Sequence, residues 1–181
     1  IELYPVSGLT VDDNMMGGGY IIGYMNPASW KNNLIVSVSP GGTSGPLTAV
    51  HDYYYDDSTY NPHPFQIGQI AADYTVDGVI FDCPQGSVGD MVVGGTGQTV
   101  NHQLTAVNCI VLPNSMGAGP GKFISPSASG YIMTVEHNTV TTTSAQSSNA
   151  ETGVAEYGET FSGIPGMYAS IRSNIAYSPT G

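Results

Sequence analysis

Tyr74-Thr75-Val76-Asp77-Gly78-Val79 runs straight on into Ile80-Phe81-Asp82, and this nine-residue stretch decides how the rest of the chain is read. A Thr-apolar-polar step turns one side chain inward and its neighbours outward, which is the period-two signature of a strand. The same step recurs at Leu9-Thr10-Val11-Asp12-Asp13-Asn14, Ala28-Ser29-Trp30-Lys31-Asn32-Asn33, Leu104-Thr105-Ala106-Val107-Asn108-Cys109, Met133-Thr134-Val135-Glu136-His137-Asn138 and Ala169-Ser170-Ile171-Arg172-Ser173-Asn174. Each has Thr or Ser second and an apolar residue third. Four of the six end in Asn and one in Cys, and most continue into another apolar run, such as Leu34-Ile35-Val36 or Ile110-Val111-Leu112.

The six segments start at 9, 28, 74, 104, 133 and 169, so the gaps are 19, 46, 30, 29 and 36 residues. Self-similarity at such spacings is the mark of stacked repeats. The gap of 46 reads as two turns of 23 with a poorly matching unit near His51 to Asp56. A rung of three short strands and their corners needs roughly 20 residues plus insertions, and the gap of 19 falls just under that minimum. The expectation is a stack in which Val11, Val76, Val135 and Ile171 share one dry interior column. Asn at the sixth position is expected at a corner, where it tolerates left-handed backbone and its amide bonds the next rung.

The chain has 24 Gly, 12 Pro and 12 Tyr, only 9% charged residues and 40% hydrophobic ones. Helix formers are scarce and no run has helical spacing, which makes this an all-β composition. The stretches Met15 to Asn26, Pro40 to Pro46, Tyr53 to Pro64, Pro84 to Gly97, Pro113 to Gly121 and Ser144 to Gly158 read as loops. Residues 1–181 are expected to form one β-solenoid domain; with no initiator Met at Ile1, the chain reads as processed or cut from something longer. A β-sandwich or jelly roll, with Asn marking ordinary turns, is the alternative.

Three Lys or Arg against 14 Asp or Glu give a net charge of -11. Nucleic acid and anionic lipid are poor partners for such a surface, because that binding depends on clustered cations. No stretch is long enough to span a bilayer, so membrane insertion is not expected.

The segments 74–82 and 133–140 resemble rungs of the pectate-lyase-like superfamily of right-handed parallel β-helices, which includes polysaccharide lyases, glycoside hydrolases, phage tailspikes and surface adhesins. The resemblance extends over most of the chain and is strongest from 74 to 179. It implies an architecture and says little about activity. The lyases use Arg or Lys as base beside carboxylate-held calcium, but here Lys31, Lys122 and Arg172 sit on separate segments. The hydrolases cluster Asp on adjacent rungs, whereas Val107 and Leu112 stand where partners of Asp77 and Asp82 are needed. No catalytic residue is carried over; were the chain an enzyme, Asp77, Asp82 and Asp90 are the carboxylates for it.

The most aromatic stretch holds Tyr53, Tyr54, Tyr55, Asp56, Asp57 and Tyr60, with His51, Asp52, His63 and Phe65 about it. Tyr faces beside carboxylates suit glycan or partner contact; the alternative is that they cover the solenoid or pack against a subunit. Cys83 and Cys109, about one rung apart, read either as a disulfide or as stacked buried thiols. Asp12 and Asp13 are weak calcium candidates against the alternative of solvated turn acids; otherwise no cofactor is expected. The Gly-rich runs 17–19, 94–97 and 117–121 lack the helix and Lys of phosphate loops and read as turns.

The functional expectation is a non-catalytic structural or glycan- or receptor-binding component of an extracellular assembly. That class spans virion tailspikes, capsid-surface proteins, and cell-surface filaments or adhesins, with copies of itself or other subunits as partners. The alternatives are a polysaccharide-degrading β-helix enzyme and a jelly-roll capsid or pilus subunit.

Overall fold

The structure is a computed structural model, and it describes residues 8–21, 28–40, 46–55, 73–82, 92–94, 98–112, 124–126, 129–141 and 169–177. Among these residues there is no helix. The strands are β1 (Leu9–Asp12), β2 (Met15–Ile21), β3 (Ala28–Lys31), β4 (Leu34–Pro40), β5 (Leu47–Val50), β6 (Tyr53–Tyr55), β7 (Tyr74–Asp77) and β8 (Ile80–Asp82). They continue as β9 (Val92–Gly94), β10 (Gln98–Val107), β11 (Ile110–Val111), β12 (Ile124–Pro126), β13 (Ser129–Glu136), β14 (Thr139–Thr141), β15 (Ala169–Arg172) and β16 (Ile175–Tyr177).

One sheet has seven strands in the order β1-β3-β5-β7-β10-β13-β15, and a second has seven in the order β16-β14-β11-β8-β6-β4-β2; β9 and β12 form a small pair. Every ladder among the described strands is parallel. A sandwich or jelly roll is built from antiparallel neighbours, so that alternative does not describe these sheets. Each repeat lays one strand in the first sheet, passes a two-residue corner, and lays the next in the second sheet.

The four residues expected in one column share it. Val11 pairs with Trp30, Trp30 with Ala49, Ala49 with Val76, Val76 with Ala106, Ala106 with Val135, and Val135 with Ile171. From Trp30 to Val135 all are buried, and the alternation of large Trp30 with small Ala49 and Ala106 lets the layers interlock. The second sheet contributes Ile35, Tyr54, Phe81, Val111 and Val140 as a matching buried column, with Tyr54 and Phe81 stacked at 5.7 Å and 16°.

Five sequence readings need correction, one of them the presumed loop Pro84 to Gly97, within which Val92–Gly94 is strand β9 paired with β12. The unit inside the 46-residue gap begins at Leu47, where Leu47-Thr48-Ala49-Val50 pairs with Ala28–Lys31 on one side and Tyr74–Asp77 on the other; the gap divides unevenly, and the short spacing of 19 occurs twice. Met15–Ile21, read as loop because of its glycines, is a strand held by six register pairs to β4, and Tyr53–Tyr55 at the head of another presumed loop is β6. Left-handed backbone belongs to the fifth position, not the sixth: Asp13, Asn32, His51, Gly78, Asn108, His137 and Ser173 all have φ between 55° and 63°. The sixth residue instead turns its side chain into the corner.

That corner residue forms a ladder. Asn33 Oδ1 accepts from the Asn14 N–H at 3.0 Å, and Asn33 Nδ2 donates to the Val11 carbonyl at 2.8 Å and to Asp52 Oδ1 at 2.9 Å. Asn138 repeats the arrangement: its Oδ1 accepts from the Cys109 N–H at 2.8 Å, while its Nδ2 donates to the Ala106 carbonyl and to Asn174 Oδ1. Buried backbone groups freed by the turn thereby find partners from side chains one repeat away. Val79 interrupts the ladder with an apolar side chain.

Candidate functional site

The corner fixes which side chains point outward. Asp52 turns in at the sixth position, so Tyr53 faces out, Tyr54 in and Tyr55 out. Tyr54 is 1% exposed and its hydroxyl is pushed up by burial, with Asp52 adding to it; as an interior residue it cannot be the surface contact expected of it. Tyr53 and Tyr55 are half-buried. Asp56, Asp57, Tyr60, His63 and Phe65 lie outside the described residues, as do Asp90 and Cys83.

Register sets Tyr53 between Leu34 and Ile80, and Tyr55 between Val36 and Asp82, all half-buried on the outer face of the second sheet. The Tyr53 hydroxyl donates to Asp82 Oδ2 at 2.5 Å, and this bond, with burial and the carboxylate charge, pushes Tyr53 up to about 12. The result is an apolar strip edged by a phenol-carboxylate pair and a second phenol. Such a strip can stack on a flat apolar face and accept hydrogen bonds from hydroxyls.

The other carboxylates lie in different sheets. Asp77 lies in the first sheet, opposite Val50 and Val107, and its Oδ1 accepts from Asn108 Nδ2 at 2.9 Å. Asp82 is in the second sheet. Among the described strands neither has a carboxylate as register partner. Asp12 and Asp13 are exposed; Asp13 Oδ1 accepts from Asn32 Nδ2 at 3.1 Å and the Asp12 carbonyl from Asn14 Nδ2 at 2.6 Å. Among the described residues no group of three or more His, Cys, Asp or Glu comes together around a point where a metal ion would sit.

Cys109 occupies the corner position as a free, buried thiol. Val79 takes the corresponding place in the preceding repeat and Asn138 in the next, and the expected bond or stack with Cys83 falls on a residue outside those described. Its Sγ points at the Val107 carbonyl at 3.2 Å and, more distantly, the Val76 carbonyl at 3.7 Å, and burial pushes the thiol up to about 12. A thiol held protonated in this way is inert.

One feature of the outer surface exceeds what single segments suggest. Thr10, Ser29, Thr48, Thr75, Thr105, Thr134 and Ser170 stand in one register column of the first sheet, forming a row of hydroxyl residues at the strand spacing of about 4.8 Å. The Thr or Ser at every second position was visible in the sequence, but its unbroken alignment depended on the missed repeat at Leu47. Beside it, Glu136 accepts from Ser170 Oγ at 2.6 Å and from Arg172 Nε at 2.8 Å, which together hold its carboxyl below the usual value. No protein-family model, curated protein or solved structure matches this chain.

Proposed function

We propose that the two sheets are two walls of a parallel β-helix, and that the chain is a non-catalytic structural and glycan- or receptor-binding component of an extracellular assembly at a virion or cell surface. The observation that carries this reading is the outward strip Leu34, Tyr53 and Ile80 with Val36, Tyr55 and Asp82 alongside. It supplies apolar faces and hydroxyl acceptors on a rigid sheet, and its one carboxylate is occupied by the Tyr53 hydroxyl. Asp77, the other described acid considered for catalysis, belongs to the other sheet.

Binding and turnover separate this from a polysaccharide-degrading enzyme. On a glycan panel the protein should retain one or more glycans without releasing reducing ends, and Tyr55→Ala should weaken retention. Robust turnover abolished by Asp82→Asn would replace this reading with the enzyme. Small-angle scattering tests the architecture: a solenoid gives a rod-like profile, and a compact ellipsoid refutes it.

A further inference from the structure

Charge is sorted between the two sheets. Asp12, Lys31, Asp77, Glu136 and Arg172 stand in one column of the first sheet, whereas Asp82 is the single charged residue in any described strand of the second. That carboxylate is engaged by the Tyr53 hydroxyl at 2.5 Å. On the outer face of the second sheet, register aligns Leu34, Tyr53, Ile80 and Ile110 across four successive repeats. Leu34, Tyr53 and Ile80 are half-buried and Ile110 is 39% exposed. In a chain of net charge -11, this is an uncharged apolar row running across the strands.

The row has the dimensions of a single narrow chain. Strands β6 and β8 are three residues long, so each presents two outward side chains, Tyr53 and Tyr55 in one and Ile80 and Asp82 in the other. At about 3.4 Å per residue the strip is roughly 7 Å across, whereas a helix with its side chains is about 10–12 Å wide. An extended peptide fits the width, but it pairs its backbone through a sheet edge, and a sheet face has none of those partners. A pyranose chain needs none. Its ring faces are C–H surfaces that stack on aliphatic and aromatic side chains, and its hydroxyls project from the ring edges. One ring is about as long as the roughly 4.8 Å between neighbouring repeats.

We propose that this row binds an uncharged, unbranched glycan of the flat β-1,4-linked hexose type, lying across the strands with one ring to a repeat. The rings stack on Leu34, Tyr53, Ile80 and Ile110. Tyr55 and Asp82, register neighbours two residues along their strands, take the hydroxyls of one ring edge. Carboxylated sugars are disfavoured, because the charge that faces them is Asp82 and the chain as a whole is anionic. The inference rests on the glycan-binding reading above and names its substrate class.

The test is calorimetric titration of the 181-residue chain with cello-oligosaccharides, from the disaccharide to the hexasaccharide. Affinity should climb with each ring up to the tetrasaccharide, by about tenfold in all. The same oligosaccharides oxidised to carboxylates at C6 should bind about tenfold more weakly at low salt. Ile110→Thr keeps a β-branched shape at an exposed position, so it should melt like the parent. It should lose the gain from the fourth ring and leave disaccharide binding unchanged. The inference is overturned by a neutral series that does not bind, by affinity indifferent to length, by oxidised ligands that bind as well as neutral ones, or by an Ile110→Thr variant that holds the tetrasaccharide like the parent. Any of these, with another glycan retained on the panel, leaves the glycan-binding reading standing; a protein that retains no glycan removes both.

Discussion

Asn33 holds Asp52 twice, its backbone N–H and its side-chain amide both donating to the single oxygen Oδ1 at 2.8 and 2.9 Å, while Asp52 Oδ2 is buried with no hydrogen-bond partner. Elsewhere in the ladder an amide nitrogen occupies the place of Oδ2 and donates to a third-position carbonyl of the preceding repeat. Asp52 can imitate Asn only when protonated.

Burial raises Asp52 from an ordinary 3.8 to about 6, against the lowering effect of the Asn33 hydrogen bonds. A group raised on folding stabilises most fully below its unfolded value, and that contribution is lost as pH rises through the folded one. Stability should therefore fall between about pH 4 and pH 6 by on the order of 3 kcal/mol, at about 1.36 kcal/mol per unit, and level off above. Asp52→Asn should flatten this limb and raise the urea midpoint at neutral pH. An unchanged pH profile in the variant would refute the assignment.

Glu136 works in the opposite sense. Its carboxyl is lowered by Ser170 and then Arg172, so its contribution is present above the unfolded value of 4.5 and is lost as pH falls through the folded value. Ser170→Ala should bring the acid-unfolding midpoint to higher pH. Thermal melts across the acid range, parent against variant, will show the shift or its absence.

Asn138→Ala removes an acceptor from the buried Cys109 N–H and a donor from the Ala106 carbonyl. Leaving such groups unsatisfied costs about 1–3 kcal/mol each, so a loss of roughly 3 kcal/mol is expected in chemical denaturation. Cys109→Asn should do the reverse. The new amide can donate to the Val76 carbonyl and to Asn138 Oδ1, extending the ladder by one repeat, and stability should hold or rise by about 1 kcal/mol. A Cys109→Asn variant much weaker than the parent would show that the pocket tolerates only an apolar group.

Gly78 carries φ 63°, and a Cβ built on it would run into the His51 imidazole of the preceding repeat. Six other corners accept non-Gly residues at similar φ, so the backbone alone does not require Gly here; the neighbouring ring does. Gly78→Ala should cost more than the about 1–2 kcal/mol of a left-handed non-Gly residue, and His51→Ala should recover the excess. Additive effects in that double-mutant cycle would exclude the ring as the cause.

Much of the stack was legible because the third-position residues and the second apolar run recur in phase. What escaped was phase where composition is uniform. Three consecutive tyrosines carry no inward or outward signal of their own; Tyr54 is assigned only by counting from the corner, which lines it up with Ile35 and Phe81. Leu47-Thr48-Ala49-Val50 is identical to Leu104-Thr105-Ala106-Val107, yet its repeat ends in Asp instead of Asn, and equal division of the gap pointed past it. The glycines of Met15–Ile21 suppress local strand preference, and pairing with β4 overrides it. Asn at the sixth position was read as the left-handed residue because Asn tolerates that backbone, whereas here its amide fills the corner and the residue before it makes the turn.

The link between the two sheets is two residues long in every repeat, whereas the return from the second sheet to the next strand of the first varies widely, from Ile21 to Ala28 at one extreme and Thr141 to Ala169 at another. Tolerance to added sequence is therefore lopsided. Foreign peptides spliced into the returns should leave the register of both sheets intact, whereas a single residue inserted at a corner would reverse inside and outside for the strand that follows. Extra sequence is thus expected to be accepted between repeats and refused within them.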